Sequence, residues 1–249
     1  MLGRAYKTAA LEYEYLCFTA PDNDARTRAL VGKAECLKRM GLYADAEACM
    51  KRLLPDGLPD SLSYTVYYQT ALCAYLASDF EYAQSQLLQL RAFVKDSALV
   101  RSALPLHALI LNELQRWIEA EGVLLLYVKE STRDSVRELY NHHRIPRLKN
   151  SNKAVRLSTF LPGFGQAYLG YWGEGAVNAS LQLGSLVFIG YNLWSAQYFT
   201  ALTVGTGMLQ KFYVGGIHRT EFLTKEKNYQ LSRAFNDAAK MKILELPGR

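Results

Sequence analysis

Histidine, cysteine and proline are scarce in this chain of 249 residues: four, four and seven. The histidines stand at 107, 142, 143 and 218. None belongs to an H-E-x-x-H, a Cys–His pair or a Ser/His/Asp arrangement, and no paired carboxylates mark a cleft, so the chain reads as non-enzymatic. His142 and His143 have no carboxylate or cysteine at ligand spacing, and no metal or other cofactor is expected. Cys17, Cys36, Cys49 and Cys73 contain no C-x-x-C, and their spacings of 19, 13 and 24 fit no zinc module. They read as small apolar residues between helices; Cys36 and Cys49 could face each other across one helical pair, which leaves a disulfide open. An apolar leader is missing from residues 1–20, which carry Tyr6, Glu12, Tyr13, Glu14 and Tyr15. Charge is missing altogether from Gly175 to Gln210, a run of 36 residues.

What is present supports a packed, ordered protein. Half of the residues are hydrophobic and 12% aromatic, enough for a real core and unlike a disordered chain. The net charge of +6 suits an anionic membrane surface or nucleic acid. Nucleic acid is not expected, because the basic residues cluster beside the uncharged run and not among exposed stacking aromatics. Nothing points to a small-molecule substrate.

Self-alignment at an offset of 37 residues brings up one pattern three times. Ala34, Ala71 and Ala108 align, followed by Leu37, Ala74 and Leu111. The aromatics Tyr43, Phe80 and Trp117 come next, and three residues later Ala46, Ala83 and Ala120. Met50, Leu87 and Leu124, then Leu53, Leu90 and Tyr127, complete the columns. The aromatic opens a second helix, the alanine lets its antiparallel partner approach, and the larger residues extend the apolar stripe. Such a pair cannot bury its face alone, so stacking is required. The segment MGLYADAEACMKRLLP, with Gly41, Tyr43, Ala46, Met50, Leu53 and Pro55, resembles the second helix of the tetratricopeptide repeat. The other two units lack the glycine, and the period of 37 exceeds the family's usual 34, which implies longer turns. One more step back, Tyr6, Ala9, Tyr13 and Leu16 read as the second helix of an earlier unit, so an upstream segment is expected.

After Ser131 the character changes. Arg144, Arg147, Lys149 and Lys153 lie in a basic stretch expected to meet anionic headgroups. The run divides near Asn192–Gln197 into Gly175–Trp194, about 30 Å long as a helix, and a second stretch of similar length, Tyr198–Ile217, interrupted by Gln210 and Lys211. Ala176, Ser180 and Gly184 recur at every fourth position, a face suited to close helix packing. Before this run stands PGFGQAYLGYWGEG, which is no phosphate loop, since it lacks the G-K-[ST] ending and follows no predicted strand. Pro162, Gly163, Gly165, Gln166, Tyr168 and Gly170 resemble the P-G-x-G-Q-x-Y-x-G signature that opens small two-helix membrane domains in bacteria, notably Bacteroidota. That resemblance implies a location in the bacterial cell envelope, at the inner membrane, and no activity. Residues 219–246 read as a charged amphipathic helix with Phe222, Tyr229, Leu231, Phe235, Ala238, Met241 and Leu244 as its apolar contacts.

The expected fold is therefore all-α. A tetratricopeptide-like solenoid of helical hairpins spans 1–130, a basic connector 131–157, a two-helix membrane hairpin 158–218 and an amphipathic tail 219–249. The expected function is a membrane-associated scaffold or adaptor that binds other proteins through the repeat groove and membrane lipids through the hairpin. The alternatives are a structural subunit of a membrane-protein biogenesis or secretion complex and, behind it, an enzyme of unknown activity. Which side of the membrane the repeats face is left open.

Overall fold

The computed structural model describes residues 2–53, 55 and 57–247. Among the described residues the chain is all-helical, with no strand. It forms two compact units, Met1–Ile145 with Asn236–Arg249, and Pro146–Phe235.

The first unit opens with α1 (Leu2–Thr19), α2 (Asn23–Arg39), α3 (Tyr43–Met50), α4 (Asp60–Leu76) and α5 (Phe80–Phe93). It continues with α6 (Ser97–Ser102), α7 (Leu104–Glu113), α8 (Trp117–Tyr127) and α9 (Arg133–Leu139). Aspartates cap helix starts in this unit: Asp22 accepts from the Ala25 N–H at 2.7 Å and Asp79 from the Tyr82 N–H at 3.2 Å. Neighbours in sequence are neighbours in space: α2 packs on α3, α4 on α5 and α7 on α8.

One core gathers Leu30, Ala34 and Leu37 of α2, Ala46, Cys49 and Met50 of α3, and Val66 and Cys73 of α4. A second gathers Tyr67, Ala71 and Ala74 from another face of α4, with Ala83, Leu87 and Leu90 of α5 and Ile110 of α7. Helix α4 thus serves two cores at once. Ala46, Ala83 and Ala120 are fully buried. Trp117 is buried, Phe80 half-buried and Tyr43 exposed. In α1, Ala10 and Cys17 are buried, and Tyr13 packs on the first core. Leu16, expected inside, is exposed. All four cysteines are buried free thiols, so Cys36 and Cys49 are not bridged.

The second unit contains α10 (Ser151–Phe160), α11 (Phe164–Leu169), α12 (Trp172–Trp194), the short α13 (Tyr198–Thr200) and a π-helical turn at Ala201–Gly205. From there α14 (Thr206–Glu245) runs on; its residues to Phe235 belong to this unit and those from Asn236 to the first.

This overturns the two-span membrane domain. No helix among the described residues is long and apolar enough to cross a membrane, so the transmembrane helices and the inner-membrane location expected from residues 158–218 are withdrawn. Amides and small residues, Asn178, Gln182, Ser185 and Asn192, thin the apolarity of α12. The stretch expected to end at Ile217 does not end there: it passes from α13 through the π-turn, takes in Lys211 and continues as a charged helix. The tail is therefore no separate helix. Of its expected apolar contacts, Leu231 and Phe235 are half-buried and the other five exposed. Phe222, Tyr229, Met241 and Leu244 are exposed, while Thr220, Leu223, Thr224, Ser232, Asn236, Ala239 and Ile243 are buried.

Five turns between helices share one geometry. Gly41, Ser78, Gln115, Gly170 and Ala196 each adopt a left-handed conformation, with φ of 75°, 66°, 61°, 94° and 60°. The N–H of the next residue reaches back five positions, as in Leu42 to Leu37 O at 3.0 Å, Asp79 to Ala74 O at 2.9 Å and Arg116 to Leu111 O at 2.8 Å. Tyr171 and Gln197 do the same to Gln166 and Asn192. Two residues after each left-handed position an aromatic opens the next helix: Tyr43, Phe80, Trp117, Trp172 and Tyr198.

A left-handed conformation costs a residue with a Cβ about 1–2 kcal/mol, part of which glycine returns as unfolded-chain entropy. Ser78→Gly and Gln115→Gly are each expected to stabilise the first unit by about 0.5–1 kcal/mol. Thermal melts check this: an unchanged or lowered Tm in both variants contradicts the turn assignment.

Candidate functional site

Two surfaces stand out. In the first unit, α4 carries Tyr64, Tyr68, Leu72 and Tyr75 at spacings of 4, 4 and 3, which places them on one helix face. All four are half-buried along the edge of the second core. The rings of Tyr64 and Tyr68 stack with centroids 5.5 Å apart, and the Tyr64 hydroxyl meets Ser102 Oγ at 2.7 Å. Burial, with Glu113 and Asp237 adding to it, pushes the Tyr75 phenol up to about 12. These residues lie outside the 37-residue columns; their signal in the sequence is the helical spacing of the tyrosines.

The same unit holds part of its own C-terminal helix. Trp117 Nε1 donates to Asn236 Oδ1 at 3.1 Å, and Asn236 Nδ2 donates to Glu113 Oε2 at 3.2 Å. Lys240 Nζ lies 5.4 Å from the centroid of the Tyr75 ring. Burial raises the Glu113 carboxyl, opposed by the Asn236 hydrogen bond. The surface of α4, α7 and α8 therefore accepts a helix through an aromatic, an amide and a carboxylate, though no hydrophobic count would single out Asn236.

A buried histidine lies in this unit as well. His107 on α7 is 4% exposed, and neither ring nitrogen has a partner. Burial, with Arg91 and Arg116 assisting, lowers its pKa to about 4. It stays neutral at physiological pH.

In the second unit, PGFGQAYLGYWGEG forms a glycine-mediated knot. Gly163 is left-handed at φ 86°, and a Cβ there would lie 2.2 Å from the carbonyl oxygen of Gly175. A Cβ on Gly165 would lie 2.3 Å from the Ala154 carbonyl oxygen and 2.1 Å from Ser158 Oγ. The glycines thus let α11 press directly onto α10 and α12. Gln166 is buried and donates from Nε2 to the Gly216 carbonyl at 3.2 Å. Tyr168 packs against Ala154, Leu169 and Leu223. Pro162 precedes the knot and lines an apolar groove with Phe164, Trp172 and Ala176.

Helices α12 and α14 run antiparallel. Arg219 Nε and Nη2 grip Glu174 at 2.7 Å each, a Cβ on Gly216 would strike Asn178, and one on Gly205 would strike Ile189. The Arg219 guanidinium holds the Glu174 carboxyl below the usual range. Between them is a groove of about 540 Å³ lined by Val177, Leu181, Phe212 and Gly215.

The basic residues are divided between the two units. Arg144 belongs to the first unit and donates to Glu138 at 2.6 Å. In the second unit Lys149 and Lys153 lie 4.9 and 5.2 Å from the Tyr168 ring centroid, and Arg147 is exposed. Among the described residues no three His, Cys, Asp or Glu side chains are grouped to hold a metal. No family model matches the chain, and neither a curated protein nor a solved structure shows a significant match to it.

Proposed function

We propose that the first unit is a tetratricopeptide-like solenoid that works as a protein-binding adaptor and takes a helical segment of another protein along its helical pairs. The observation that carries this reading is the match between α2–α3, α4–α5 and α7–α8. They share one left-handed turn, one aromatic helix start and one buried alanine column, all at 37-residue spacing. Repeats of this kind leave an extended face for recognition. The helix held through Trp117, Asn236 and Glu113 supports a helical ligand. The half-buried Tyr64–Tyr68 pair supplies large, rigid contact area of the sort that dominates interfaces. No catalytic role is proposed.

A second reading, a structural subunit of a larger protein assembly, is favoured by the apolar exterior of α12. The two readings assign function to different units and are compatible.

The test is co-purification from cells with the wild-type chain and with the Tyr64→Ala/Tyr68→Ala double variant. A protein retained in stoichiometric amount by the wild type and lost by the variant, at unchanged helical content, is the expected result. Identical retained proteins in both samples would remove the α4 face from the binding surface.

A further inference from the structure

Helix α12 is inside out. Its inward face carries Gly175, Gln182, Ser185 and Asn192, all buried. The polar ones bond along their own helix: Gln182 to Asn178 Oδ1 at 3.2 Å, Ser185 to the Leu181 carbonyl at 2.8 Å, Asn192 to the Phe188 carbonyl at 2.9 Å. The outward face, half a turn away at 100° per residue, carries Trp172, Leu183, Val187, Tyr191 and Trp194, exposed by 73, 63, 64, 62 and 86%. Between them lie the exposed small residues Ala176, Ser180 and Gly184. Among the described residues, nothing beyond the helix's own neighbouring backbone lies within 4 Å of where a Cβ would stand on Gly173, Gly184 or Gly190.

Large and small alternate on this face in a self-complementary way. In a helix laid antiparallel on its own copy, with the two-fold axis between Leu183 and Gly184, residue i meets the residue whose number makes the sum 367. Trp194 then falls on Gly173, Trp172 on Ser195, Tyr191 on Ala176, Val187 on Ser180 and Leu183 on Gly184. Every large side chain meets a small one, and the small ones let the axes approach to about 8 Å. An isologous interface has to be self-complementary in this sense. Charge raises no objection, because no charged residue occurs from Gly175 to Gln210. The area is of the right order: the exposed parts of these side chains amount to roughly 800 Å² per copy, an upper bound on what the contact buries, against about 800 Å² per side in a standard stable interface.

We infer that the outward face of α12 is the contact between two copies of this chain, packed antiparallel with Val187 of each copy against Ser180 of the other. The inference does not depend on the adaptor reading, since it concerns the second unit alone.

The full-length chain is tested by light scattering after gel filtration, over a range of concentrations. The wild type is expected to be dimeric. Ser180→Lys and Val187→Glu, both at exposed positions, are each expected to raise the dimer Kd by roughly 100-fold or more, since each sets like charges into the contact. Mixing the two variant chains restores a dimer containing one of each, because lysine then faces glutamate. Circular dichroism confirms that both variants keep their helix content. A monomeric wild type, a wild type that stays monomeric and floats with lipid vesicles, a Val187→Glu chain that remains dimeric, or mixed chains that stay monomeric each overturn the inference. The second of those outcomes assigns the face to lipid and the third moves the dimer contact elsewhere. Neither bears on the Tyr64/Tyr68 experiment.

Discussion

Lowering the pH from 7 to 5 is expected to cost the first unit on the order of 2 kcal/mol through His107 alone. The native pKa is about 4, against roughly 6.5 in the unfolded chain. Between these values the unfolded chain binds a proton that the native state refuses. Stability from this group is therefore intact above pH 6.5, falls as the pH drops through the window and levels off below about 4. A shift of 1.5 pH units into the window, at about 1.36 kcal/mol per unit, gives the stated figure. The main cause is burial: the imidazole is 4% exposed, neither nitrogen has a hydrogen-bond partner, and the help of Arg91 and Arg116 is only partly opposed by Glu119.

His107→Leu keeps much of the volume and removes the proton site, so its urea stability at pH 5 and pH 7 differs by about 2 kcal/mol less than the wild type's. It is also expected to be no less stable at pH 7, because two unbonded buried nitrogens are removed. Trp117 fluorescence, in a background with Trp172 and Trp194 replaced by Phe, reads the first unit separately. Equal pH-induced losses in the two proteins would show that His107 is not held neutral in the interior.

The second large effect lies in the glycine knot. Gly163→Ala combines a left-handed φ of 86° with a Cβ 2.2 Å from a backbone oxygen. Strain of about 1–2 kcal/mol and overpacking of about 1–3 kcal/mol together predict a loss of roughly 3 kcal/mol or more. Gly170→Ala has the strain at φ 94° without a neighbour within 4 Å, so about 1–2 kcal/mol is expected. Gly173→Ala, helical and open, is expected to be neutral or to gain up to about 1 kcal/mol. The ordering in thermal melts is the check. Gly163→Ala melting with Gly173→Ala would mean that the backbones do not approach as described.

The outward face of α12 and the knot explain each other. Amides and glycines line the inside because the backbones of α11, α12 and α14 come too close for larger side chains, as Gly163, Gly205 and Gly216 require. The large apolar residues are left outside, where an interface is needed.

The amino-acid sequence by itself determined the helical character of the chain, the 37-residue columns and the turn positions, because these rest on spacing and on local backbone preference. It also held the pattern of a left-handed residue followed two positions later by an aromatic, although only Gly41 announces the conformation and Ser78, Gln115 and Ala196 disguise it. Tertiary structure decided which face of α12 and α14 turns inward. Ranking residues by hydrophobicity assumes that large apolar side chains go inside; where glycines bring backbones together, small and polar residues win those positions, so the membrane spans and the tail's apolar stripe were both misplaced. The inclusion of Asn236–Arg249 in the first unit was likewise beyond local reading, since it depends on Asn236 meeting Trp117 and Glu113, more than a hundred residues away along the chain.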